Sequence, residues 1–281
     1  WFTPYRDHHA VAQYRPINDY FCFDAPINSM LFMDFHDELS LTCEPSEYLC
    51  LRAGSKQNWM DFYKGLQDFA RVTAFKRFYD DHSDYYQQAI EKVTAINGAC
   101  DPATELESYT GLKAEQYTLR FSPLQNCGYA GGNVPESGDV SCTIGFDHNE
   151  ENDRAEICLR VYLWHEFAHV FVNPIIDDCM AQNSADWQRF EKYISSLNID
   201  PQKYPEVNNY ETFIRAITYK LNEKYYGINE AEGILKWDEE QGFIHVRHIV
   251  KALDNYEIAR EKMGVNINEY FPTLLKEIID I

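Results

Sequence analysis

The sequence is poor in positive charge and has no long apolar run. Its 281 residues include 25 Lys and Arg against 45 Asp and Glu, which gives a formal charge of −20 at pH 7. Because such a chain repels phosphate groups, we expect no general binding to nucleic acid or to anionic lipid. No stretch approaches the roughly 18 consecutive apolar residues that a transmembrane helix needs, so we expect no membrane span. The oligomeric state is not predicted by any feature of the sequence.

Several motifs of common chemistries are also absent. There is no Cys-x-x-Cys pair, no Gly-x-Ser-x-Gly elbow and no glycine loop of the nucleotide-binding type. These absences disfavour a thioredoxin-type redox centre, a zinc ribbon, a serine hydrolase and a phosphate cradle. The glycine-rich segment 127–133 is instead expected to be a bend beside an exposed strand edge. The eight scattered cysteines are expected to be buried small hydrophobes, with some disulfides as the alternative.

The chain begins at Trp1, and no basic-then-apolar leader precedes that residue. We therefore expect a leader to have been removed and the protein to be extracytoplasmic, that is, secreted, periplasmic or surface-anchored. Aromatic residues make up 15% of the chain, which favours a thick core or a cleft that faces peptide or sugar.

Apolar periodicity predicts an α+β protein that is predominantly helical. Pro174 predicts that a helix ends at Asn173, because the residue preceding a proline avoids helical geometry. We expect one domain over 1–281, with helices and a small sheet in a first lobe (1–173) and a second, helical lobe (174–281). Helices are predicted within 58–96 and over about 185–197, 208–226, 246–262 and 267–281, and strands at Tyr117–Phe121 and Cys142–Phe146.

Residues 161–172 contain the motif that indicates a chemistry. Apart from one tyrosine hydroxyl, their only polar side chains are His165, Glu166 and His169, and the other residues are apolar or aromatic. Burying these three groups without partners costs several kcal/mol. The two histidines lie one helical turn apart and can bind a single ion, while the adjacent glutamate can reach a water on that ion. The His-Glu-x-x-His pattern therefore predicts a zinc site. The alternative is a pair of core histidines in a buried salt bridge.

The segment His165-Glu-Phe-Ala-His-Val-Phe-Val-Asn-Pro174 resembles the zincin metallopeptidases, and also uncharacterised bacterial zincin-like families with an Asn-Pro after the helix. The resemblance covers about residues 117–215. It implies an α+β fold with a small mixed sheet and the motif helix at a cleft, a bound Zn²⁺, and hydrolysis of a peptide or protein substrate with Glu166 as general base. Val172 and Ile175 stand where a metzincin has Gly and His, so the resemblance is to the gluzincins.

A gluzincin takes its third zinc ligand from a later helix, and the best candidate is Glu211. It lies at the margin of an apolar stripe that contains Tyr210, Phe213, Ile214, Ile217 and Leu221. Arg215 and Asn173 are then expected to support the ligands from behind. Two alternatives stay open: Glu211 forms only an exposed ion pair with Arg215, or the ligand is Glu206, Asp177 or Asp178.

The sequence also offers candidates for an oxyanion donor and for the surface that binds a substrate peptide. Candidate donors to a developing oxyanion are Tyr210, Tyr219, His245 and His248. A substrate peptide is expected to add to a strand edge within 117–133. Two other functions compete with a hydrolase: a catalytically silent zincin-like scaffold that binds a protein or glycan, and a metal-free helical domain.

Overall fold

A computed structural model describes residues 1–22, 24–36, 38–98, 101–122, 129–133, 139–145, 152–197 and 208–280. Contacts within the chain divide it into two compact units. The first unit contains residues 1–95, 119–134 and 143–149, and the second contains residues 96–118, 135–142 and 150–281. The chain is mostly helical with a few short strands, which confirms the predicted α+β, predominantly helical class.

The first unit is built around an aromatic core. Trp59 is fully buried and stacks on Tyr63 at 5.9 Å, while its indole N–H donates to Ser29 Oγ at 2.9 Å. The region 58–96, predicted to hold two helices, holds three, and Ala74 interrupts it with a left-handed backbone (φ 52°). Its helices are α1 (His9–Tyr14), α2 (Asp24–Met30), α3 (Glu47–Arg52), α4 (Lys56–Val72), α5 (Phe75–Asp81) and α6 (Ser83–Gly98). Strands β1 (Met33–Asp34) and β2 (Ser40–Leu41) pair antiparallel, with Met33 opposite Leu41.

Three further strands form a sheet in the order β3-β5-β4. They are β3 (Gln116–Phe121), β4 (Tyr129–Asn133) and β5 (Asp139–Ile144). The strand predicted at Tyr117–Phe121 is confirmed, and the one predicted at Cys142–Phe146 begins three residues earlier. The bend predicted for 127–133 is wrong over β4, because glycine weakens a strand but does not exclude one.

The second unit consists mainly of helices. They are α7 (Pro102–Thr110), α8 (Asn152–Gln182), α9 (Ala185–Ser196), α10 (Asn209–Tyr226), α11 (Ile228–Glu240), α12 (Val246–Met263) and α13 (Ile267–Asp280). The four helices predicted after residue 184 are present as α9, α10, α12 and α13, whereas α11 was not predicted. Its core includes Trp164, Phe213, Ile217, Leu253 and Phe271, each at most 2% exposed.

Helix α8 continues through Pro174 to Gln182, so the predicted helix end at Asn173 is wrong. Proline removes one backbone N–H and costs roughly 3 kcal/mol inside a helix. Ile175 and Ile176 are 6% and 0% exposed, and their burial offsets that cost. The predicted lobe boundary between residues 173 and 174 consequently falls within a single helix.

A buried ion pair holds α7 against α8 just before the motif. The Arg160 guanidinium donates from Nε to Glu105 Oε2 at 2.9 Å and also bonds Oε1. The indole N–H of Trp164 donates to the same Glu105 Oε2 at 3.0 Å. Because Trp164 immediately precedes His165, this network fixes the rotation of α8 about its axis at the motif.

The described residues also bear on two predictions from composition. None of the described helices is both long and apolar enough to cross a membrane. The six cysteines in the described ranges are thiols, and among them only Cys142 is buried. The prediction of mostly buried cysteines is therefore wrong for these six, while Cys100 and Cys127 lie outside the described residues.

Two helix C-caps provide a matched test of the packing of the second unit. Gly111 after α7 (φ 74°, ψ 11°) and Gly264 after α12 (φ 73°, ψ 14°) have nearly the same left-handed backbone. A Cβ on Gly111 would lie 2.2 Å from Arg260 Nη1, whereas one on Gly264 would meet nothing within 4 Å. We expect Gly264→Ala to cost about 1–2 kcal/mol of unfolding free energy. Gly111→Ala should cost about 1–3 kcal/mol more. Equal costs in chemical denaturation would contradict the crowding at Gly111.

Candidate metal centre

Two helices of the second unit bring together the side chains of the predicted zinc site. Ligand atoms of His165, Glu166 and His169 on α8 lie within 4.8 Å of one another. Glu211 on α10 contacts both rings, with Oε2 at 3.3 Å from His165 Nε2 and Oε1 at 3.4 Å from His169 Nε2. The structure thus gathers all four residues that the sequence proposed for the centre.

Local sequence accounts for this placement. On α8 the apolar neighbours Trp164, Phe167 and Ala168 are buried, so His165 and Glu166 are enclosed and only 5% exposed. On α10 the Asn208 side chain caps the helix by accepting from the Glu211 backbone N–H at 3.0 Å, which places Glu211 in the first turn. The side chains of His169 and Glu211 are each 22% exposed, so the group of four is reachable from solvent.

A hydrogen bond to Asn173 determines which nitrogen of the neutral His169 ring carries the proton. Asn173 Oδ1 lies 3.3 Å from His169 Nδ1 and can only accept, so Nδ1 carries a proton. In the neutral ring this leaves the lone pair on Nε2, the atom that faces Glu211. A partner that fixes the far nitrogen is the arrangement that metal-binding histidines require.

The electrostatics of the group follow from burial and mutual contact. Burial lowers the pKa of His165, which favours the neutral ring. Burial acts to raise the pKa of Glu211, but His165 and His169 outweigh it and hold that pKa far below the usual range. Burial also acts to lower the pKa of His169, but Glu211, Glu166 and Asn173 raise it. A largely enclosed carboxylate therefore faces two imidazole nitrogens, an arrangement that favours a cation between them, either a proton or a metal ion.

Arg215 is not the exposed partner that the alternative interpretation of Glu211 supposed. Its Nη2 lies 3.4 Å from Glu211 Oε2, but its side chain is only 10% exposed. The guanidinium lies over the Phe243 ring at 4.1 Å and forms an ion pair with Asp238 through Nη1. The ion pair of Glu211 with Arg215 is therefore present but not exposed, because Asp238 and Phe243 cover the guanidinium.

The alternative third ligands are placed differently. Asp177 Oδ1 accepts a hydrogen bond from the hydroxyl of Tyr210, and Asp178 is exposed on α8. Glu206 lies outside the described residues. Of the three, Asp177 is the one that shares a helix face with the site, because it follows His169 and Asn173 at four-residue steps along α8.

The four candidate oxyanion donors all have hydrogen-bond partners of their own. Tyr219 donates to Glu232 at 2.9 Å, and Tyr210 donates to Asp177. His245 Nε2 lies 2.8 Å from Thr212 Oγ1, and His248 bonds the Tyr193 hydroxyl. These contacts give His245 and His248 structural roles.

A second group of potential ligands, in the first unit, has the wrong proton positions for a metal. His8 Nε2 and His9 Nδ1 lie 3.2 Å and 3.7 Å from Asp68 Oδ2. His8 Nδ1, however, accepts the Ala10 backbone N–H at 3.2 Å, so the proton of the neutral ring is on Nε2 and points at Asp68. Asp68 also pairs with Arg71. These contacts are those of a helix cap and an ion pair.

The chain belongs to the family described as a domain of unknown function, DUF4932, whose match spans residues 1–277. No significant match was found among curated proteins, and none among solved structures. The family description assigns no activity, so any function has to be argued from the residues of the site.

Asp238 is the neighbour of the site that the sequence interpretation missed. It is 2% exposed, and together with Ala231 and Leu235 it forms the buried face of α11. A carboxylate at a position of the apolar stripe is a signal that was available in the sequence. It was overlooked because α11 itself was not predicted.

The burial of His245 leads to a prediction about stability in acid. Its Nδ1 has no hydrogen-bond partner among the described residues, and burial together with His248 lowers its pKa to about 4. The unfolded chain, with a pKa near 6.5, binds the proton first as the pH falls. Stability is therefore complete above about pH 6.5 and declines by about 3 kcal/mol toward pH 4.

We expect His245→Gln to remove this part of the acid loss, whereas the exposed His36→Gln should keep it. Denaturation measured at several pH values for both variants checks the prediction. A parallel acid decline in wild type and His245→Gln would contradict it.

Proposed function

We propose that the protein is a zinc-dependent hydrolase, and specifically a metallopeptidase. The observation that carries the proposal is the position of the Glu211 carboxylate, whose oxygens lie 3.3 Å from His165 Nε2 and 3.4 Å from His169 Nε2. Two imidazoles and one carboxylate from two helices form the donor set of catalytic zinc sites. The hydrogen bond between His169 Nδ1 and Asn173 supports the same assignment, because in the neutral ring it leaves the lone pair on Nε2.

In this proposal His165, His169 and Glu211 would hold a Zn²⁺ ion. That ion would polarise a carbonyl as a Lewis acid and lower the pKa of water toward about 7. Asn173 fixes the ring of His169, and Arg215 orients the carboxylate of Glu211 from 3.4 Å. Neither residue has to touch the substrate.

Glu166 is the proposed general base. It follows His165 on the same helix, is 5% exposed, and has a ligand atom within 4.8 Å of both histidines. Its carboxylate accepts a proton from the attacking water and then passes it to the nitrogen of the leaving amine. Enclosure by apolar neighbours strengthens this proton transfer, since little water competes for the carboxylate.

The proposed substrate is a peptide or protein chain. Tyr117 of β3 lies against Phe167 of the motif helix, with 4.8 Å between the ring centres. An edge strand beside the motif helix can pair with an extended peptide through main-chain hydrogen bonds. We therefore propose that the substrate main chain pairs with the Tyr117 end of β3, which is an outer strand of its sheet among the described residues.

Metal binding can be tested with the two histidine groups as target and control. We expect His169→Ala to weaken Zn²⁺ binding at least about 100-fold, because one of three protein ligands is lost. We expect His8→Ala to leave the affinity and the stoichiometry of one ion per chain unchanged, because His8 caps a helix. Competition with a chromophoric chelator measures both. Loss of zinc in His8→Ala but not in His169→Ala would refute the assignment.

Catalysis can be separated from metal binding at Glu166. The Glu166→Gln variant keeps the size of the side chain but cannot accept a proton, so we expect zinc content to persist while peptide cleavage falls at least about 1,000-fold. Cleavage of a fluorogenic peptide library and elemental analysis are measured on the same samples. Full activity in Glu166→Gln would exclude it as the base, and zinc binding without cleavage by the wild type would favour the silent scaffold.

A further inference from the structure

Arg215 forms ion pairs with two carboxylates, those of Glu211 and Asp238. Arg215 is sandwiched, with Nη2 at 3.4 Å from Glu211 Oε2 on one side and Nη1 bonded to Asp238 on the other. The Phe243 ring lies 4.1 Å from its guanidinium carbon, and Asp238 is 2% exposed. The guanidinium therefore has a fixed position between two carboxylates.

A buried guanidinium beside a metal-binding carboxylate creates an electrostatic conflict. Its positive charge attracts the same oxygens that a divalent cation needs, and it repels the cation itself. Asp238 offsets that charge on the far side of the guanidinium. The carboxylates of Glu166, Glu211 and Asp238 carry three negative charges when ionised, and the guanidinium of Arg215 carries one positive charge. The net charge of these four groups is then −2, which matches a divalent cation.

We propose that Asp238 is a positioning residue of the metal centre: it holds and neutralises Arg215, so that Arg215 orients Glu211 without competing with the metal ion for its carboxylate. This inference rests on the proposed function in so far as it requires zinc at Glu211. It assigns a role to a residue of α11, a helix that contributes no ligand and no candidate base.

The test is a double-mutant cycle on Asp238 and Arg215, read out as metal affinity. We expect Asp238→Asn to weaken Zn²⁺ binding about 10- to 100-fold, as loss of a carboxylate behind the ligands does in other zinc sites. We expect Asp238→Glu, which keeps the charge, to recover most of the affinity. In the Arg215→Met background, Asp238→Asn should change the affinity less than about 3-fold, because no guanidinium is left to neutralise.

Two further measurements separate positioning from a merely structural role. The absorption spectrum of the Co²⁺-loaded protein reports the geometry around the ion, and we expect it to change in Asp238→Asn. The control variant Asp254→Asn removes the same charge from the second unit at the Lys220 ion pairs, and it should leave affinity and spectrum unchanged.

The outcomes discriminate among the hypotheses. If Asp238→Asn lowers the melting temperature but leaves Zn²⁺ affinity and the Co²⁺ spectrum as in wild type, the positioning role is overturned while the metal site stands. If the Asp238→Asn variant does not fold, the Zn²⁺ affinity of Arg215→Met is compared with that of the Arg215→Met, Asp238→Asn double variant. An affinity at least 10-fold lower in the double variant shows that Asp238 does not act through Arg215. Wild-type protein that binds no Zn²⁺ in the chelator assay overturns the proposed function itself.

Discussion

The carboxylate of Glu211 is largely enclosed and faces two imidazole nitrogens, and its neighbours hold its pKa far below the usual range. The ionised form that this favours requires positive charge from the surrounding structure. Leaving a charge buried without compensation costs far more than a protein of this size can spare. Arg215 supplies part of the compensation from behind, but Asp238 takes up much of its charge. Positive charge is still favoured between the carboxylate and the rings, which is where the proposed metal ion would lie.

The same constraint explains why two different helices meet there. On α8, apolar neighbours bury the rings, and the ion pair of Glu105 with Arg160 fixes the rotation of the helix. On α10, the Asn208 cap places Glu211 in the first turn, where a carboxylate also interacts favourably with the helix dipole. Packing of the two helices then decides which side chains face each other. A shift of either helix by one residue would turn its polar groups into the apolar core.

The parts of this arrangement that follow from local periodicity could be predicted from the sequence. His165, His169 and Asn173 recur at four-residue steps, so they had to share a face of α8, and Glu211 lies at the margin of a stripe that is buried. What could not be predicted depends on packing. Pro174 ordinarily ends a helix, and only the burial of neighbouring residues such as Ile176 shows why α8 continues. Asp238 was missed because α11, the helix whose buried face it belongs to, was not predicted.

Residue type alone does not distinguish a metal centre from an ion pair in this chain. His8, His9 and Asp68 have the same kinds of donor atoms at similar separations as the group on α8. The difference lies on the opposite side of each ring. The Ala10 N–H donates to Nδ1 of His8, so the proton of the neutral ring is on Nε2 and faces Asp68. Asn173 Oδ1 instead accepts a hydrogen bond from Nδ1 of His169, which leaves the lone pair of the neutral ring on the nitrogen that faces Glu211. The neighbour of the remote nitrogen, rather than the histidine itself, is therefore the feature that favours the group on α8 as the proposed metal site.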